Sequence, residues 1–153
     1  MASLAFRSAS IVSFTSAPRH PPAAPAAPKL GAPSPAPSPW SSQREVIATE
    51  GAPGAVGAYS QAIKANGFVY VSGQIPLVPG TKNFVSEDVE EQTEQVLTNL
   101  GAILKEAGSS FDRVVKTTIL MADMADFAKI NGVYGRYFPT NPPARAAYAV
   151  KAL

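Results

Sequence analysis

The chain has 153 residues, with 13 Lys and Arg against 11 Asp and Glu, a formal net charge of +2 and no cysteine. The excess of base is confined to residues 1–44, which hold Arg7, Arg19, Lys29 and Arg44 and no acid, so residues 45–153 carry a balance of −2. These figures exclude disulfides, thiolate nucleophiles and cysteine metal sites, and they give the larger part of the chain no basic surface for nucleic acid.

The opening MASLAFRSASIVSFTS is rich in Ser and Ala, sparsely basic and free of acids, which reads as an organelle transit peptide. Nine of the 15 prolines follow between Pro18 and Pro39, interleaved with Ala and Ser. A stretch of that composition cannot bury enough apolar surface to offset its ordering entropy, so residues 1–44 are expected to be disordered. No long apolar run precedes the first prolines, which argues against a secretory signal. Two arginines in the first 20 residues and a proline-dense second half favour a plastid address over a mitochondrial one, with a linker of no address as the plain alternative. No run of 18 apolar residues occurs, so a soluble chain is expected. The sole histidine, His20, falls in the leader. A domain over 45–153 therefore has no imidazole for a Ser-His-Asp triad, a histidine base or the usual zinc sites.

Within that domain the first pattern is a hairpin over 61–75, AIKA and FVYVSGQI flanking Asn66-Gly67, which accept the positive φ of a tight I′ turn. Phe68, Val69, Tyr70 and Val71 are apolar without alternation, so both faces of that strand want cover, one from helices and the other from a partner subunit. Residues 87–107 predict a helix with Val89, Val96, Leu100, Ile103, Leu104 and Ala107 on one stripe, Ser86 as N-cap and Gly108 as stop. Residues 113–121 (RVVKTTILM) read as a β-branched strand. Asp123 caps a second helix over 124–138, whose buried stripe is Phe127, Ile130, Tyr134, Tyr137 and Phe138. Residues 144–150 (ARAAYAV) form a last strand. The order strand, hairpin, helix, strand, helix, strand gives an α+β sheet with helices on one face.

Four places break local rules and are candidate site positions. Asn131 puts an amide on the apolar stripe of the second helix, as a ligand contact or as a tie to a neighbouring loop. Ser72-Gly73 interrupts an apolar strand, as at a close approach of ligand or backbone, or at a simple bulge. Tyr59 follows the loop GAPGAVGA, whose glycines match no phosphate-binding pattern. Arg145 opens a strand among small alanines, suited to grip a carboxylate with two parallel N–H bonds or to form a structural salt bridge.

Taken together, IATEGAPGAVGAYSQAI, VYVSGQIP, VVKTTILMADMADFAKIN and PPARAAYAVKAL resemble the RidA family, the reactive intermediate (enamine/imine) deaminases, closest to plant plastid members. The likeness covers nearly all of 45–153. It implies a chorismate-mutase-like homotrimer with sites between subunits, hydrolysing 2-iminobutanoate and 2-iminopropanoate to 2-oxo acids and ammonia without cofactor or metal. In the family this activity protects pyridoxal-phosphate enzymes and supports isoleucine synthesis. By the same likeness Arg145 binds the substrate carboxylate and, with Tyr59, is catalytic, while Ser72, Gly73 and Asn131 join Arg145 in binding substrate.

Two departures stand out. Ala147 occupies a position where some members carry cysteine, and the family's last strand, with its hydrophobic-Glu pair, has no counterpart before Leu153. A domain incomplete at its C-terminus is expected, with an open sheet edge, lower stability and slower turnover. The alternatives are a non-catalytic binding subunit or an RNA-acting member of the family, the latter poorly served by a domain of charge −2 without histidine. Neither membrane nor nucleic-acid partners are expected.

Overall fold

The protein is described by a computed structural model over residues 44–152, with residues 10–16 described as backbone. The proline-rich stretch Pro18–Pro39, His20 and Leu153 lie outside these residues. Among the described residues the chain runs β1 (Ser10–Ser16), β2 (Glu45–Ile47), β3 (Ala62–Ala65), β4 (Phe68–Gln74), α1 (Val89–Glu106), β5 (Val114–Met121), α2 (Phe127–Tyr137) and β6 (Ala144–Ala149). This is the expected α+β layout, one mixed sheet covered by two helices, with an additional strand from residues 10–16.

The hairpin β3–β4 forms because Asn66 (φ 53°) and Gly67 (φ 76°) both take the left-handed conformation, pairing Ala65 with Phe68. In β4 exposure alternates: Val69 and Val71 are buried, whereas Phe68 and Tyr70 are 41% and 43% exposed. One face therefore meets the helices, and the other presents aromatic rings to solvent in the single chain.

The cap of α1 differs from the expected one. Asp88, not Ser86, is the N-cap: its carboxylate accepts from the Glu90 and Glu91 amides at 2.8 and 3.1 Å, in the geometry that satisfies the first free donors of a helix. Ser86 instead steadies the approach, its hydroxyl accepting from the Asp88 amide. At the other end Gly108 adopts φ 73° and lets Ser109 bond back to Leu104. The helix buries Val96, Leu97, Leu100, Ile103 and Leu104 completely, at about 1.5–3 kcal/mol each relative to exposure.

The second helix is shorter than its pattern. Asp123 accepts from the Ala125 amide and opens a 3-10 turn, Met124–Asp126, before the α-helix starts at Phe127. Its buried line is Ile130, Val133, Tyr134 and Phe138, while Phe127 and Asn131 are exposed.

The sheet order is β2-β3-β4-β1-β5-β6. Only β5 and β6 are parallel, the pair joined through α2 as parallel neighbours require. β1 runs antiparallel to both β4 and β5. β1 is thus drawn from residues 10–16 and lies between β4 and β5, which without it would face each other across a gap inside the sheet, while β2 and β6 are the outer strands. A leader strand can sit there because the gap offers hydrogen-bonding groups on both sides, and seven residues of SIVSFTS pair with them.

Candidate functional site

The candidate residues fall into two groups at different places on the sheet. The first surrounds the start of the hairpin. Loop 48–60 is held by Gln61, which is buried and is the amide that sequence reasoning passed over. Its Nε2 donates to the carbonyls of Thr49, Ala52 and Pro53 at 3.0, 3.2 and 2.8 Å, and its Oε1 accepts from the Thr49 amide at 2.7 Å. On this frame the Tyr59 hydroxyl accepts from the Val56 amide at 3.2 Å, and its ring lines a narrow cleft with Pro53, Gly54, Gln61 and Gly73. The internal room there is about 10 Å3, close to what one water molecule needs.

Ser72 faces the same region from β4. Its hydroxyl donates to the Ser60 carbonyl at 2.6 Å and its amide to the Gln61 carbonyl at 3.0 Å. Between Ser72 and Gly73 the ladder to β1 slips, Val71 pairing with Ser13 and Gln74 with Ile11. Two β1 steps thus span three on β4. The bulge reading of Ser72-Gly73 is correct as far as the backbone goes, and Gly73 of that bulge lines the Tyr59 cleft.

The second group surrounds Arg145 on β6. Its guanidinium carbon lies 4.7 Å from the centroid of Tyr134 and 5.6 Å from that of Phe127. No carboxylate forms an ion pair with it among the described residues, so the structural salt-bridge reading finds no partner. Tyr134 is itself fixed: it is 4% exposed, its hydroxyl shares a hydrogen bond of 2.9 Å with the Thr117 hydroxyl, and its ring stacks on Phe138 at 4.4 Å. Burial pushes the Tyr134 phenol above its usual range, and the Thr117 hydrogen bond and the Arg145 charge oppose that shift.

Asn131 corrects an expectation. It is exposed and makes no hydrogen bond among the described residues, so it ties down no loop among them. The spacing 127, 131, 134 explains its place: successive steps of four and three put it between Phe127 and Tyr134 on the side of α2 where Arg145 rests. Tyr134 and Phe127 carried only the signal of an apolar stripe, which does not distinguish a core ring from one that supports a cation.

The two groups do not meet within one chain. β4 and β6 are separated by β1 and β5, which at ordinary strand spacing is about 14 Å. Among the described residues no three His, Cys, Asp or Glu side chains group where they could hold a metal ion, and no helix is long and apolar enough to cross a membrane. Chemically the first group offers a bulged strand, a phenol and room for a water, and the second offers a cation with no hydrogen bond among the described residues and, on the same side of α2, an exposed amide.

Comparison with known proteins adds the following. The family model described as Endoribonuclease L-PSP matches residues 49–153. The chain is 57% identical over 111 residues to Reactive Intermediate Deaminase A, chloroplastic, of Arabidopsis thaliana, covering 72% of this chain and 59% of that protein. It is 52% identical over 110 residues to the 2-iminobutanoate/2-iminopropanoate deaminase of Homo sapiens, covering 72% and 80%. The crystal structure of RidA from an Antarctic Psychrobacter superposes with a TM-score of 0.69 at 43% identity, over 71% of this chain and 88% of that one.

Proposed function

The chain belongs to the Endoribonuclease L-PSP family, in which its relatives include named deaminases, and from that premise we propose that it hydrolyses 2-imino acids to 2-oxo acids and ammonia. The observation that carries this reading is Arg145: a half-buried cation seated on two aromatic rings, with no carboxylate ion-paired to it among the described residues. A small carboxylate is the ligand that such a guanidinium fits, through two parallel charge-assisted hydrogen bonds.

The chemistry asks little more of the protein. A protonated imine is already electrophilic, so water adds to its carbon, one water proton passes to nitrogen, and as the C–N bond breaks the hydroxyl proton is lost from the new carbonyl and taken up by the departing ammonia, leaving a 2-oxo acid and ammonium. No electrons are exchanged with any cofactor. The protein holds the carboxylate, orients the imine and places one water. Arg145 does the first, with Asn131 beside it; Tyr59, Ser72 and Gly73 supply the wall, and the cleft at Tyr59 has room for the water. Because the two groups stand apart in one chain, the complete site forms where the Tyr59 side of one subunit faces the Arg145 side of another. A homotrimer satisfies this, and the exposed Phe68 and Tyr70 rings give the sheet face an apolar surface to bury in it.

The product pair fits a role downstream of pyridoxal-phosphate enzymes that release imino acids, including the dehydratase step of isoleucine synthesis. A plastid address is supported by the chloroplastic relative and by the composition of residues 1–44. In the test, imine is generated in place by an amino-acid dehydratase and its disappearance followed. Arg145→Ala lowers kcat/KM on the order of a hundredfold or more, the usual cost of losing a charge-assisted pair of about 3 kcal/mol. Wild-type turnover by that variant would remove the carboxylate-clamp assignment.

A further inference from the structure

We propose that Phe127 and Tyr134 are positioning residues that seat the Arg145 guanidinium and so set the affinity for the substrate carboxylate. This rests on the reading of Arg145 as the carboxylate clamp. Arg145 stands on β6, at the edge of the sheet, where a long side chain with no partner samples many rotamers. Here the cation lies over two rings, at 4.7 and 5.6 Å, and a cation held over an aromatic face is attracted to it without using its N–H donors. The rings thus hold the cation without a hydrogen bond to it among the described residues, and its N–H donors, which match a carboxylate, are left for a ligand.

The seat is closed on itself. Arg145 pairs in register with Thr117 of β5, and the Thr117 hydroxyl is bonded to the hydroxyl of Tyr134, the ring beneath the guanidinium. Backbone and side chain of Arg145 are therefore referred to the same residue. Phe138 stacks behind Tyr134 at 4.4 Å and prevents the ring from backing away. Phe127 completes the seat from the first residue of α2, where the Asp123 turn places it. A lysine at 145 lacks the flat face and the forked donors, so this arrangement selects arginine.

Steady-state kinetics on the full chain, with 2-iminobutanoate generated in place, test the proposal. Phe127→Leu, at a position 36% exposed, raises KM about fivefold with kcat within twofold, and Phe127→Trp restores the wild-type KM. Tyr134→Leu raises KM about tenfold, whereas Tyr134→Phe, which keeps the ring, stays within threefold. Tyr134 is a core residue and its leucine variant loses stability as well, so Phe127→Leu, checked for an unchanged melting temperature, decides the matter. An unchanged KM in folded Phe127→Leu, alongside a crippled Arg145→Ala, overturns the seat and leaves the clamp standing. A wild-type Arg145→Ala removes the clamp itself.

Discussion

At the scale of single residues, the site region is organised by polar groups that the amino-acid pattern did not single out. Gln61 makes four hydrogen bonds to the loop that carries Tyr59, and Thr117 anchors the ring under Arg145. Both looked ordinary in sequence because a glutamine beside a turn and a threonine in a β-branched run have no periodic signature; their roles come from partners 8 to 17 positions away. Arg145, Ser72 and Tyr59 were legible, since each breaks the pattern around it. Asn131 was legible as an anomaly, a ligand contact or a loop tie, but the helical period alone does not say which, because it does not tell where the sheet ends. Tyr134 also carries a pH dependence. Its folded phenol is raised above the unfolded value near 10, so the neutral form is favoured by folding and its contribution is complete below pH 10. That stability is lost as pH rises through the folded value, a loss to which Tyr137, raised by burial and by its hydrogen bond to Glu94, adds. Denaturant midpoints measured from about pH 8 to 11 fall for the wild type, and Tyr134→Phe makes the fall shallower. An equally steep decline in that variant would assign the effect elsewhere.

At the scale of elements, local signals and long-range packing had separate successes. The hairpin, both helices and the strands at 114–121 and 144–149 follow from short-range pattern: Asn66-Gly67 dictates a turn, and β-branched residues dictate extension. Exact helix starts were less legible, because Ser86 and Asp88 both suit a cap and only geometry shows that the carboxylate reaches two amides. Asp88→Ala removes both of those bonds and costs about 1 kcal/mol, which lowers the melting temperature by roughly 4–8 °C in a domain of this size. Calorimetry of that variant beside Ser86→Ala separates the two candidates, Asp88 giving the larger shift. The helices also close on each other through aromatic rings. Phe111 meets Tyr137 at 5.1 Å and Phe138 at 5.4 Å, and Phe138 meets Tyr134, so a continuous column of rings runs from beneath Arg145 to Phe111, which packs against Gly101 of α1. Gly101 makes room for it: a Cβ there would stand 3.0 Å from the Phe111 ring.

At the scale of the whole molecule, the distinctive feature is β1, a strand from the part of the chain that reads as a leader, placed between β4 and β5. No local pattern could reveal this, because SIVSFTS is unremarkable alone and the vacancy it fills is defined by strands far along the chain. Its fit is imperfect, with the ladder slipping at Ser72-Gly73 on one side and at Val115 on the other, where Phe14 pairs with Lys116 and Thr15 with Val114. Removing residues 1–44 bares the hydrogen-bonding edges of both β4 and β5, and the expected result is a melting temperature lower by more than about 10 °C together with self-association. Melting and size-exclusion measurements on the two lengths check this; equal melting temperatures and equal elution would show that β1 contributes nothing to the fold. The position of β1 also bears on how the chain is made. Ser13 pairs with both Val71 and Thr117, so β1, the first of the described strands to be made, waits for about a hundred further residues before its second neighbour exists. Its contacts are among the most distant in the sequence, and such pairings close slowly. The nascent chain therefore stays open at the centre of its sheet until β5 emerges, and in that interval an amino-terminal segment remains accessible to whatever recognises it.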